Sequence, residues 1–396
     1  MSESPALQRL LRHTDQVVPR DELAAKLDQG RPLRVKLGLD PTAPAVTLGW
    51  AVVLRKLRQF QELGHTAVLI VGDFTAQVGD PSARDAQRKR LTAEEVNGYA
   101  ENVLSQFEKV LLADNLEIRR NSEWLRPIDM SGLLELTSSA TVAQMLERAD
   151  FAKRYESGVP ISVMEFLYPL LQGYDSVAVE ADVELGGSDQ LWNLMMGRIV
   201  QERYGQDPQV ALTMPLLVGT DGTQKMSQSL GNYIGVDDEP SEMFGKAMSL
   251  PDEAMGEWFR LAADYDEDAT VKIEAGLASG EIHPNEAKRH LARSVVTLYW
   301  DEQAASEAEG LFDRVFREGG TPDDLDDFKL PADDPVSLPS LIRDVFDMSG
   351  SEARRLISQG AVRLDDQVIS DQEVPRSGLS GKVLRVGKRR FARLVD

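Results

Sequence analysis

Cysteine is absent from all 396 residues. Disulfides, thiolate nucleophiles and Cys-type zinc sites are therefore excluded. Histidine is scarce too: His13, His65, His283 and His290 are the whole complement. No run approaches the ~18 to 20 apolar residues that a membrane span needs. Met1 to Arg12 lacks an apolar h-region, so neither a spanning helix nor a signal peptide is expected, and the expected location is the cytoplasm. Positive charge is also in short supply. Lys and Arg number 44 against 65 Asp and Glu, a net charge of −21. Nucleic-acid binders usually carry a basic footprint, so the bulk charge argues against one. The distribution does not: Ser337 to Asp396 holds 11 Lys/Arg and 8 Asp/Glu, a balance of +3, which leaves −24 for the preceding residues. An acidic bias of this kind also occurs in proteins adapted to high salt, where repulsion is screened.

What is present is ordinary for a soluble globular chain: 42% hydrophobic and 28% charged residues, with length for two or three domains. Leu33 to Leu39 is a short apolar run stopped by Asp40-Pro41, which predicts a strand entering a tight turn. Leu48 to Leu63 has helical periodicity and Gly64 at the expected C-terminal position. Thr66 to Val71 reads as a fully buried strand. Strand, helix, strand is the βαβ unit of a parallel sheet. Further strands are predicted over Ala178–Leu185 and Gln209–Val218, with a helix from Ser188 to Tyr204 between them. The fold class expected is α/β, a doubly wound parallel sheet over residues 1–230. A helical domain over 231–320, an acidic linker over 321–336 and a small C-terminal α+β unit over 337–396 should follow.

Several strand-to-helix turns carry polar residues where parallel sheets bind ligands. The first holds Gly38, Asp40 and Pro41, then Thr47-Leu48-Gly49-Trp50; N–H groups at that helix start suit phosphate. The second runs from Gly72 through Thr75 to Asp80, whose carboxylate suits an ammonium group. Tyr168, Gln172 and Asp175 fall at i, i+4 and i+7, one face of a helix, and Pro169 should kink that helix or start it anew. Gly186-Gly187-Ser188-Asp189-Gln190 allows close backbone approach and offers a carboxylate to a ribose hydroxyl. Lys225, Ser227, Gln228 and Ser229 lie on a polar loop after a strand, and Lys225 is a point charge suited to a phosphate. Each motif taken alone is equally a capped turn, a solvated face or an ordinary loop; the order of all five along one chain is the informative observation.

That order resembles the bacterial tyrosyl-tRNA synthetases, class I aminoacyl-tRNA synthetases, over nearly the whole chain. Asp40-Pro41-Thr42-Ala43, Leu57 through His65, Gly72 through Thr75, Tyr168 through Asp175 and Gly186 through Gln190 carry the likeness. Ser351 to Ile357 with Gly360-Ala361-Val362 resembles the RNA-binding module named after ribosomal protein S4. The resemblance implies activation of tyrosine by ATP to tyrosyl-adenylate and transfer to tRNA. It implies a tyrosine site of Lys36, Thr75, Asp80, Tyr168, Gln172, Asp175 and Gln190, with Asp175 at the phenol. Gly38, Asp40, Gly187, Asp189, Lys225 and Gln228 would face ATP. Mg²⁺ would travel with the ATP phosphates without a protein cage, and no dedicated metal site is expected. Arg354, Arg355, Arg363, Lys388, Arg389 and Arg390 would contact RNA phosphates. An insertion near 130–175 would pack two subunits into a homodimer.

The chain departs from the family in its catalytic signatures. His-x-Gly-His reads Thr47-Leu48-Gly49-Trp50, Lys-Met-Ser-Lys-Ser reads Lys225-Met226-Ser227-Gln228-Ser229, and Ala83 stands where Gly is usual. Losing one preorganised donor costs about 3 kcal/mol in a transition state. The changes cluster on the ATP side, beside a retained tyrosine side. The leading expectation is a working tyrosine–tRNA ligase with compensated ATP contacts. The alternatives are a paralogue that binds tyrosine or RNA without efficient activation, and a ligase turned to another substrate.

Overall fold

The computed structural model describes residues 4–396 apart from 81–91, 317–324, 326, 347, 366 and 388–389. Contacts divide the chain into two compact units, 1–302 and 303–396.

The first unit is built on a six-stranded sheet: β1 (Gln16–Val18), β2 (Arg34–Leu39), β3 (Thr66–Val71), β4 (Leu116–Arg120), β5 (Val183–Gly187) and β6 (Val210–Met214). Their spatial order is β1-β6-β5-β2-β3-β4. All pairs are parallel except β1 with β6. The chain builds outward from β2 through β3 to β4, then returns to lay β5 on the other side of β2. This reversal leaves a crevice between β2 and β5 at their carboxyl ends, where doubly wound sheets bind ligands. The sheet centre is mostly apolar, since helices cover both faces. Val35, Leu37, Val68, Leu69, Val183, Leu185, Ala211 and Leu212 are all buried.

The helix Leu48–Glu62 forms as its periodicity predicts, burying Ala51, Val52, Leu54, Leu57 and Phe60 against the sheet. Thr47 caps its start by accepting a hydrogen bond from the Trp50 N–H. Gly64, at φ 86°, follows its end. Two expectations are corrected. The helix bearing Tyr168, Gln172 and Asp175 runs unbroken from Val163 to Ala178, so Pro169 lies within it and does not restart it. A capping box between Ser162 and Glu165 sets its beginning a turn and a half before the proline. The following strand therefore starts at Val183, not Ala178, after a turn with Glu180 at φ 51°. Strand β4 was not expected from the sequence: Leu116-Glu117-Ile118-Arg119-Arg120 has too few apolar residues, because it is the sheet's exposed edge. Helices from Pro240 to Tyr299 pack within the same unit, with Trp258 and Phe259 fully buried.

The second unit carries a five-stranded sheet, β10-β9-β12-β13-β7. Its strands are β7 (Asp327–Lys329), β9 (Val362–Leu364), β10 (Gln367–Val368), β12 (Val383–Val386) and β13 (Arg390–Val395). A separate two-stranded ribbon joins β8 (Val336–Ser337) to β11 (Glu373–Val374). Strand β7 lies inside the stretch expected as linker and pairs parallel with β13. The helices Leu338–Phe346 and Gly350–Ser358 bury Leu341, Ile342 and Ile357 against Val362, Leu384 and Leu394.

Candidate active site

The crevice between β2 and β5 collects polar side chains from four sheet turns. Asp40, at the end of β2, accepts hydrogen bonds from Thr75 Oγ1 at 2.7 Å and from the Tyr168 hydroxyl at 2.9 Å. Burial pushes its carboxyl up to about 7, with the negative charges of Asp80 and Asp175 adding to the effect and the two hydrogen bonds opposing it. Gly72 is required for this contact: a Cβ there would lie 2.0 Å from Asp40 Oδ1 and 2.5 Å from Thr75 Oγ1.

Thr75 in turn accepts from Asn121 Nδ2 at 2.9 Å, and the same amide nitrogen lies 3.3 Å from Asp175 Oδ2. Trp124 Nε1 donates to Asp175 Oδ1 at 2.8 Å. Trp124, Asp175, Asn121, Thr75, Asp40 and Tyr168 therefore form one hydrogen-bonded chain across the crevice. The Asp175 carboxyl is lifted to about 6, chiefly by burial, while Lys36, Trp124 and Asn121 hold it down. Tyr168 is driven well above the usual phenol range by burial and by Asp40, so it stays a neutral hydroxyl, donating to Asp40 and keeping an oxygen lone pair able to accept.

Asn121 and Trp124 were missed from the sequence. They follow β4, the strand that went unrecognised; a polar residue at a strand's carboxyl end was the one signal available.

Lys36 is placed beneath this layer. Its side chain is fully buried, 2.9 Å from Glu184 Oε1, and it donates to Ser176 Oγ at 2.7 Å and the Gln172 carbonyl at 2.9 Å. Glu184 also accepts from Gln172 Nε2 at 3.1 Å. This fixes the amide with Nε2 toward the protein. On the β5 side, Gln190 Nε2 donates to Asp80 Oδ2 at 3.1 Å, and Asn193 Nδ2 donates to Gln190 Oε1 at 2.9 Å. Arg148 Nη2 stands 3.9 Å from Asp80. Gly187 is hemmed in, since a Cβ would come within 2.7 Å of Leu216 Cδ2.

The loop 221–232 crosses the crevice mouth. Lys225 Nζ pairs with Asp189 Oδ2 at 2.6 Å on the β5 side. Gln228 reaches the β2 side and bonds the Ala45 backbone. Ser227 Oγ and Ser229 Oγ are 2.9 Å apart, and Gly49 faces Met226, where a Cβ would make an ordinary 3.6 Å contact. Trp50 is 36% exposed and lines a cleft with Asp40, Pro41, Ala43, Phe107 and Gln228. Thr47 Oγ1 is occupied as the helix cap. Gly38 is on β2 with open space at its Cβ position. Ala83 lies outside the described residues. Among those described, no group of three or more His, Cys, Asp or Glu is arranged to hold a metal, and no helix is long and apolar enough to cross a membrane.

In the second unit, Arg354 and Arg355 are exposed on one helix, Arg363 on β9 and Arg390 at the start of β13. Lys388 and Arg389 lie outside the described residues.

A family model for class I tRNA synthetases of the tryptophan and tyrosine type matches residues 28–317. The tyrosine–tRNA ligase of Moorella thermoacetica is 49% identical over 393 residues, spanning 98% of this chain and 95% of that protein. That of Oleidesulfovibrio alaskensis is 46% identical over the full length of both. The chain belongs to the tyrosyl-tRNA synthetase family. Among solved class I synthetases of this specificity, the tyrosine-bound enzyme of Archaeoglobus fulgidus superposes with TM-score 0.63 at 23% identity, covering 78% of this chain and 99% of that one. The C-terminally truncated mitochondrial synthetase of Aspergillus nidulans gives 0.64 at 21% identity, covering 78% and 93%. These two share the fold. In this chain the Tyr168 helix, the Gly186–Gln190 turn and the loop 221–232 converge on the β2/β5 crevice.

Proposed function

We propose that the chain is a tyrosine–tRNA ligase that activates tyrosine with ATP and passes it to tRNA. The carrying observation is the buried Asp175 carboxylate, held by Trp124 and Asn121 and joined through Asn121 and Thr75 to Asp40 and Tyr168. A phenol hydroxyl that donates to Asp175 satisfies this acceptor. A phenylalanine ring would leave it without that bond, and sites built to bond a hydroxyl reject analogues that lack it. The α-ammonium group then lies among Tyr168, Gln172, Asp80 and Gln190, with Thr75 beside them. Because Glu184 fixes the Gln172 amide, its Oε1 is the end turned to a donor.

The tyrosine carboxylate oxygen attacks the α-phosphorus of ATP, and the bond to pyrophosphate breaks. The terminal ribose hydroxyl of tRNA next attacks the tyrosyl carbonyl carbon and AMP leaves. Both steps depend on positioning and charge stabilisation. Gly38, Asp40, Gly187 and Asp189 line the ribose and adenosine side, and Lys225 is the signature cation for the phosphates. Gln228 and Trp50 border the same cleft. Mg²⁺ is carried by the phosphates and by water.

The exposed apolar residues Met130 (71%), Leu134 (65%) and Val163 (78%) cluster in the 130–175 segment and support its reading as a homodimer surface. The C-terminal arginines support an S4-like RNA contact, with the expectation that removing 337–396 weakens tRNA binding and spares tyrosine binding.

The test is tyrosine-dependent exchange of labelled pyrophosphate into ATP, at low and molar salt, followed by charging of tRNA. Turnover well above the tyrosine-free background is expected. Tight tyrosine binding with no exchange under either condition would overturn the ligase reading.

A further inference from the structure

The two replaced signatures meet in space. Gln228 stands where the family has its second signature lysine, and its side chain is committed to one backbone residue. The Ala45 N–H donates to Gln228 Oε1 at 3.2 Å, and Gln228 Nε2 donates to the Ala45 carbonyl at 2.6 Å. An amide is suited to this double contact because it both donates and accepts; a lysine ammonium only donates.

Both partners are fixed from behind. On the turn side, the Val46 N–H donates to Gln106 Oε1 at 2.7 Å, and Gln106 Nε2 donates to the Pro44 carbonyl at 2.9 Å. The Leu48 N–H donates to the Ile234 carbonyl at 2.9 Å, and the Val236 N–H to that of Val46 at 2.8 Å. On the loop side, the Ser227 N–H donates to Asn232 Oδ1 at 2.9 Å, while Asn232 Nδ2 donates to Asp221 Oδ2 at 2.7 Å and to the Lys225 carbonyl at 3.2 Å. The short 3₁₀ turn bearing Gln228 closes on Gly231 at φ 66°.

The loop is therefore tethered at two points on opposite sides of the β2/β5 crevice. The Lys225–Asp189 tether is ionic, with side chains 54% and 34% exposed. Exposed ion pairs weaken as salt shortens the Debye length from about 10 Å at 0.1 M. The Gln228–Ala45 tether carries no net charge on either partner, so that screening does not act on it.

We infer that Gln228 is a positioning residue that docks the signature loop on the Ala45 backbone by uncharged hydrogen bonds, holding Lys225 at the crevice irrespective of ionic strength. Its catalytic consequence rests on the ligase reading above; the docking itself does not. Lys225 is delivered by the latch, and Gln228 acts through it. A loop docked this way keeps its cation over the crevice in salt concentrations that dissolve the Lys225–Asp189 pair.

The experiment is hydrogen–deuterium exchange on the full chain without nucleotide, at 0.1 M and 2 M KCl, following peptides over 43–48 and 224–232. Wild-type protection should agree within about twofold at the two salts. Gln228→Ala should raise exchange of both peptides about tenfold at either salt, the loss of roughly one net hydrogen bond or more. Gln228→Glu keeps an acceptor for the Ala45 N–H but sets a carboxylate against the Ala45 carbonyl, and should behave like Gln228→Ala. Lys225→Met should leave Ala45 protected. A Gln228→Ala protein with unchanged protection, or wild-type protection that falls more than tenfold between 0.1 M and 2 M, would overturn the inference. Pyrophosphate exchange supplies a second readout. Gln228→Ala should lower kcat with the tyrosine KM unchanged, and Gln228→Lys should recover kcat at 0.1 M while losing it at 2 M. A merely structural defect would raise the tyrosine KM as well. Protection is read without turnover, so an inactive protein with an intact latch would remove the ligase reading alone.

Discussion

Two carboxyls at the crevice titrate close to neutrality, and each has its own consequence. Asp40 is raised to about 7 because burial disfavours its charged form. A raised folded-state value means the stabilising proton is fully present below the unfolded value near 4 and is lost as pH rises through 7. The advantage of Asp40→Asn over the parent in unfolding free energy should therefore grow between pH 5 and pH 8, by about 2 kcal/mol after allowing for solvent in the crevice. Chemical denaturation at the two pH values measures this, and a constant difference would contradict it. Asp175, lifted to about 6, is held down in part by the Trp124 N–H. Trp124→Phe should shift the acid limb of tyrosine binding to higher pH, and Asp175→Ala should weaken binding by about one to two orders of magnitude at pH 7.5. Calorimetric titration across pH 5 to 8 reads both. The sequence showed Asp175 through its i, i+4, i+7 spacing with Tyr168 and Gln172. It did not show what holds Asp175, since Trp124 and Asn121 come from the turn and short helix after the distant strand β4, and only the folded sheet brings them within 2.8 and 3.3 Å.

At the level of elements, legibility followed burial. Strands β2 and β3 are buried on both faces, so their apolar runs announced them. Edge strand β4 is half polar and did not. The helix Val163–Ala178 was legible as a face but not in extent, because a capping box fixes its start and the proline is absorbed inside it. That helix packs closely on Leu191–Arg203 through Gly173, where a Cβ would come 2.8 Å from Val200 Cγ2 and 3.4 Å from the Gly197 Cα. Gly173→Ala should force the two helices apart, at a cost of about 1 to 3 kcal/mol, despite the better helix propensity of alanine. Because Gln172 and Asp175 flank that position, the melting temperature should fall and the tyrosine KM should rise together. A melting temperature that rose would show that the contact relaxes freely.

For the whole molecule, charge and exposed apolar surface make separate forecasts. If the 130–175 segment pairs two copies, Leu134→Glu combined with Val163→Glu should halve the sedimenting mass without unfolding either protomer, because both side chains are exposed. Unchanged mass would place the interface elsewhere. Residues 1–336 carry a net −24 and 337–396 a net +3, so if the C-terminal arginines contact RNA, tRNA affinity should fall with salt with a slope set by their number. Arg354→Ala with Arg355→Ala should flatten that slope by about two units. The buried Lys36–Glu184 pair beneath the crevice bears on redesign. Lysine and carboxylate cancel each other there, whereas Asp175 is held by the uncharged donors Trp124 and Asn121 and can be neutralised without stranding a directly paired cation. Attempts to admit unnatural aromatic amino acids should therefore vary Asp175 and its two donors first, and leave the pair below intact: removing either member strands a full charge in the core, which usually costs the fold more than a new substrate gains.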